Sequence, residues 1–154
     1  MGRPSYDDIQ AGTELAPRQY QVTRRDLVRY AGASGDFNVI HWNERIAKSV
    51  GLPDVIAHGM LTMALAGRFL TEWAGDPGAV AEYGVRFSAP VVVHDDDKGA
   101  TVEVAGTVTE KLDGRRVAID VTARSEGTKV LTRARAVIQL QAVPAQGDDP
   151  LEPP

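Results

Sequence analysis

The chain has 154 residues, 43% of them apolar and 25% charged, with a formal net charge of −4 and no cysteine. That length suits one domain with its own core, and the charge gives no broad attraction to nucleic acid or anionic membranes. The missing cysteine excludes disulfides, thiolate nucleophiles and thiolate metal sites.

The N-terminus, Met1-Gly2-Arg3-Pro4-Ser5-Tyr6, lacks the apolar run of a signal peptide. No stretch approaches the roughly 20 apolar residues of a membrane span, so a cytoplasmic protein is expected. Residues 1–18 are polar and proline-punctuated and predict an extended arm with a turn at Ala11-Gly12. Gln19 to Val22 predicts a short first strand. Thr23 starts a helix, with Asp26 placed to complete a capping box and Leu27, Val28, Tyr30 and Ala31 on its apolar face. Gly32 is expected to end it near Ala33-Ser34.

Ser34-Gly35-Asp36-Phe37-Asn38 is a turn-forming cluster. Asn43 is placed to cap a short helix running to about Val50. A longer helix follows, from Gly59 to about Trp73, apolar nearly all round and therefore expected to be buried on most sides. Its small residues Ala64, Ala66 and Gly67 would let a sheet approach closely. Gly75-Asp76-Pro77-Gly78 stops it. Beyond that point the apolar period becomes two: Tyr83, Val85, Phe87; Val102, Val104; Val117, Ile119, Val121; and a last run from Val130 to Gln141. The turns Asp95–Gly99 and Leu112–Arg115 separate them. Helices followed by a meander of at least four antiparallel strands give an α+β fold, a long sheet curling around one central helix. The domain is expected over residues 19–142. Residues 143–154, acidic and proline-rich, predict a disordered tail.

The chemistry-bearing stretch is Tyr30 to His41. Asp36 and His41 lie five residues apart across the turn, and Asn38 between them is placed to hold it. Seventeen residues beyond His41 comes His58-Gly59-Met60-Leu61-Thr62, where the central helix begins. A helix N-terminus presents free N–H groups and a positive dipole end, and Gly59 has no side chain to obstruct a ligand. A carboxylate, an imidazole and an oxyanion donor are what hydration of an α,β-unsaturated thioester requires. The residues alone also allow Asp36 as a turn residue and His41 as a structural histidine. His58 reads as a structural residue ordering the loop before the helix, His94 as an exposed one, and Arg86 as a solvated or interface charge or a contact for a carrier phosphate. Thr62 faces either the pocket or the core. His41 and His58 have no third ligand at metal-site spacing, so no metal is expected.

Ser34-Gly35-Asp36-Phe37-Asn38-Val39-Ile40-His41, with Ala57-His58-Gly59-Met60, resembles the signature of the MaoC-like, (R)-specific enoyl hydratase family. The likeness runs from about Tyr20 to Ala142. Ile40-His41-Trp42, Ile56 to Met63 and Gly75 to Val80 most resemble the catalytic-subunit branch of two-chain (3R)-hydroxyacyl-ACP dehydratases. The resemblance implies a hotdog fold and reversible hydration of a trans-2-enoyl thioester, or dehydration of a (3R)-3-hydroxyacyl thioester, in fatty-acid metabolism. It implies Asp36 and His41 as the catalytic dyad, the Gly59 N–H as oxyanion donor and Asn38 as loop support. Phe37, Trp42, Met60 and Thr62 would shape the pocket. No cofactor is implied, the acyl group arriving on the phosphopantetheine of CoA or an acyl carrier protein. Pairing with a second hotdog subunit, like or unlike, is implied as well. One departure is Val39, where the family commonly has proline, so the loop lacks a φ restraint. The competing readings are a non-catalytic partner subunit and a thioesterase; the helix from Leu61 to Leu70 has no carboxylate to serve the latter.

Overall fold

A computed structural model describes residues 3–141; the expected tail lies outside the described residues. The elements are β1 (Glu14–Val22), α1 (Arg24–Ser34), a 3₁₀ turn (Val39–His41), α2 (Glu44–Ser49), α3 (Gly59–Ala74), β2 (Val80–Phe87), β3 (Ala100–Leu112), β4 (Arg116–Ser125) and β5 (Thr128–Gln139). One antiparallel sheet has the strand order β1-β3-β4-β5-β2. Helix α3 lies against it and touches β1, β2, β3 and β5. This is the α+β hotdog arrangement expected.

The first strand begins at Glu14, five residues before the expected Gln19. A register shift between Leu15 and Arg18 breaks the alternation there. Pro17 has no N–H to give the ladder, and such a residue is tolerated at a bulge on an edge strand. The preceding arm is not loose. Ile9 is buried, the Tyr6 hydroxyl donates to Leu112 O at 3.0 Å, and Lys111 Nζ donates to Tyr6 O at 2.7 Å.

The core lies between α3 and the concave face of the sheet. Phe69 and Leu70 are fully enclosed, and burying each stabilises by about 1.5–3 kcal/mol. The close approach comes from both sides. Ala66 is buried on the helix, while a Cβ on Gly106 of β3 would stand 3.2 Å from the Phe69 ring and from Ile119 Cγ2. Ala64 does not take part. It lies with Met60 and Arg68 on the exposed row of α3, while the other faces of the helix are buried or half-buried, as expected.

Candidate active site

Helix α1 sets up the first wall. The Thr23 N–H and hydroxyl both donate to Asp26 Oδ2, at 2.9 and 2.6 Å, and these bonds hold the Asp26 carboxyl below the usual carboxylate range. The helix stops at Gly35, not Gly32, because Gly35 takes the left-handed φ of 75° that closes the last turn onto Ala31 O.

Short bonds then fold the turn. Asp36 N–H donates to Ser34 Oγ (3.2 Å), Asn38 N–H to Asp36 Oδ1 (3.1 Å), and Ile40 N–H to Asn38 Oδ1 (3.3 Å). Each side chain caps an amide two residues on, the habit that makes Ser, Asp and Asn turn residues. Trp42 Nε1–H donates to Phe37 O at 3.1 Å and closes the loop. These bonds restrain the turn around Val39. Asn43 caps α2 through Ile46 N–H at 3.1 Å.

The turn delivers His41 inward. Its residue is 8% exposed, and its Nδ1 lies 2.7 Å from Ile56 O. A carbonyl oxygen only accepts, so Nδ1 carries the hydrogen and the neutral ring keeps its lone pair on Nε2. Burial pushes the His41 pKa below 6.5, and nearby His58 adds to the effect; the Ile56 bond and Asp36 oppose it. The Ile56 segment is itself fixed. Ala57 N–H donates to Val91 O and Val93 N–H to Val55 O. Arg24 braces it from α1, with bonds to Asp54 (2.7 Å), Glu44 (2.9 Å) and Val93 O (3.3 Å).

His41, Gly59 and Thr62 share a cleft of about 310 Å³. Gly59 opens α3, so its N–H has no acceptor within the helix. The ring of Phe87 lies 3.2 Å from where a Gly59 Cβ would stand. Thr62 is buried, so it faces inward. Phe37, Trp42 and Met60 do not line the cleft; they are 61%, 49% and 56% exposed. Sequence reasoning did not assign the opposite wall, Phe87 to Val91 with Val130. Phe87 ends an ordinary alternating strand, and nothing local marks it as a cleft residue.

Asp36, His41 and His58 each bring one side-chain atom within 4.8 Å of the others. The trio is poorly shaped for a metal. The two imidazoles stack at 3.7 Å with planes only 25° apart. In-plane lone pairs on such rings do not converge on one ion at the ~2.0–2.1 Å that a metal–nitrogen bond needs. His58 does more than order the loop before α3: its Nε2 reaches Asp36 O at 3.0 Å. His94 is exposed beside Glu126 as expected, and Arg86 is exposed on β2.

Residues 8–130 match the family described as MaoC like domain. The chain belongs to that family. Over 143 residues it is 33% identical to the (R)-specific enoyl-CoA hydratase of Rhodospirillum rubrum, covering 92% of this chain and 93% of that protein. A solved MaoC-like dehydratase is 46% identical with a TM-score of 0.87; the match covers 91% of this chain but only 43% of that one. The unliganded R-hydratase PhaJ1 from Pseudomonas aeruginosa superposes with a TM-score of 0.78 at 28% identity, covering 90% and 86% of the two chains. These relatives are hydro-lyases by name, and the MaoC-like chain falls in that enzyme class. Among the described residues no helix is long and apolar enough to cross a membrane.

Proposed function

We propose that this chain reversibly hydrates a trans-2-enoyl thioester to the (3R)-3-hydroxyacyl thioester, with Asp36 and His41 as the acid/base pair. The observation that carries this is the fixed tautomer of His41. With Nδ1–H spent on Ile56 O, the Nε2 lone pair is left for chemistry, on a residue that has the Asp36 carboxylate nearby and lines the cleft together with the start of α3.

In the hydration direction, the water oxygen bonds to the β-carbon as the C=C π bond breaks. One water proton passes to the dyad, and the dyad returns a proton to the α-carbon. Between these events the negative charge sits on the thioester oxygen. The Gly59 N–H, at the positive end of α3, is placed to receive it. Asn38 holds the loop, and Thr62 forms part of the cleft wall. The mechanism requires no cofactor. Phosphopantetheine is common to CoA and acyl carrier protein, so either carrier presents the same thioester.

The site lies near an open rim. Phe37, Val39, Trp42, Met60 and Phe87 are exposed large apolar side chains, and β2 is an outer strand of the sheet. Unpaired strand edges and apolar patches of this kind favour a partner. A second hotdog subunit, a copy of this chain or a related one, would cover them and complete the acyl channel.

The test follows enoyl absorbance with trans-2-enoyl-CoA and trans-2-enoyl-ACP substrates, using the wild type, Asp36→Asn and His41→Ala. Losing an acid/base group is expected to lower kcat by about 10²–10⁴. Activity that survives both changes would overturn the dyad. Release of free thiol would mean hydrolysis of the thioester instead.

A further inference from the structure

The most deeply buried polar side chain beside the dyad is one the proposed chemistry leaves unused. His58, just before α3, is 1% exposed. Its Nε2 meets the main-chain oxygen of Asp36 at 3.0 Å. One face of its ring lies on His41, with centroids 3.7 Å apart and planes at 25°. Tyr30 of α1 tilts against it at 4.8 Å and 54°. Its other nitrogen, Nδ1, is buried with no hydrogen-bond partner among the described residues.

The bond to a carbonyl oxygen fixes the hydrogen on Nε2 and leaves the lone pair on Nδ1. A buried acceptor without a donor lowers stability. A leucine or phenylalanine would fill the same space without that penalty, so packing alone is a poor account of a histidine here. What the imidazole offers is two contacts at once. Its edge donates to the residue carrying the carboxylate, and its face supports the ring carrying the base. Asp36 sits on an exposed turn and His41 faces inward; the His58 side chain touches both residues.

We propose that His58 is the positioning residue of the dyad, fixing the Asp36 main chain through Nε2–H and the plane of the His41 ring through stacking. It touches neither water nor acyl group. The inference rests on the dyad reading above. The His41 ring is held on two sides: Ile56 O holds one edge through Nδ1 and His58 lies on one face. If His58 is lost, both reacting groups can turn by fractions of an ångström, while the cleft that binds the thioester stays intact.

The test separates the two contacts. His58→Phe keeps an aromatic face and removes the donor. His58→Gln keeps an N–H donor at nearly the same reach and removes the ring. Small misplacements of reacting groups cost up to about a hundredfold. For His58→Phe, kcat is therefore expected to fall by roughly tenfold to a hundredfold with KM within about twofold of wild type. Its thermal midpoint should be unchanged or higher. His58→Gln, which keeps the donor but loses the stacked ring, should lose kcat as well, and His58→Leu, which lacks both contacts, should lose more than either. Should the phenylalanine variant fail to fold, His58→Leu is the second donor-less variant. Wild-type kcat in a folded donor-less variant would overturn the proposal. So would a loss carried by KM or by a fall in the midpoint. Asp36→Asn and His41→Ala in the same assay keep the two readings apart: if they stay active, the dyad itself fails, whatever His58 does.

Discussion

At the scale of single residues, His41 governs pH behaviour. Burial is the largest cause of its lowered pKa, so the ring stays neutral to a more acidic pH than an ordinary histidine. Activity that needs the free lone pair is present above the folded-state pKa and lost as pH falls through it. The acid limb of kcat/KM for hydration should therefore lie below pH 6.5; a limb above that value would mean the ring is not the base. The same shift acts on folding. The unfolded chain binds the proton more readily, so this group's contribution destabilises the fold as pH drops below 6.5. The turn that carries Asp36 and His41 and the helix start at Gly59 were legible in the sequence because turn residues and a cap mark them locally. The stacking of His58 on His41 was not, since it joins a helix start to a distant turn, and spacing along the chain carries no trace of that contact.

At the scale of elements, the site depends on braces between segments that make few regular hydrogen bonds. Asp54 is the joint. Its Oδ1 accepts from Arg24 at 2.7 Å and from Val55 N–H at 2.7 Å, and its side chain is 13% exposed. Asp54→Ala strands the Val55 N–H and leaves Arg24 only Glu44 and Val93 O, and it should lower stability by roughly 1–3 kcal/mol in urea unfolding. The thioester assay should show a weaker cleft as well, because the Ile56 segment holds His41. Most helices and strands were readable from period and turn residues. Two boundaries were not, for physical reasons. Pro17 and the register shift disguise the first half of β1. The turn joining β4 to β5 places Glu126 at φ 49° before Gly127, and a glutamate is not a residue that announces a left-handed turn.

At the scale of the whole molecule, the single chain leaves one row of α3 exposed and β2 open at the edge. Light scattering on a sizing column should give twice the 16.6 kDa chain mass, or a stable complex with a second hotdog chain when the two are produced together. A persistent monomer with full activity would show that the rim needs no cover. The covered flank has no slack. Alanine at position 106 would bring its Cβ to 3.2 Å from Phe69 and Ile119 and 3.3 Å from Leu15. Overpacking of that kind costs about 1–3 kcal/mol. Gly106→Ala should therefore lower the thermal midpoint, and adding Phe69→Leu should restore part of it, with a coupling visible in a double-mutant cycle.

That contact also constrains how the sequence can change over time. Residues 69 and 106 belong to different elements, yet they draw on one shared volume. Bulk gained at one must be given up at the other or at Ile119 or Leu15, which stand as close. A helix position and a strand position that look independent along the chain are coupled through that volume.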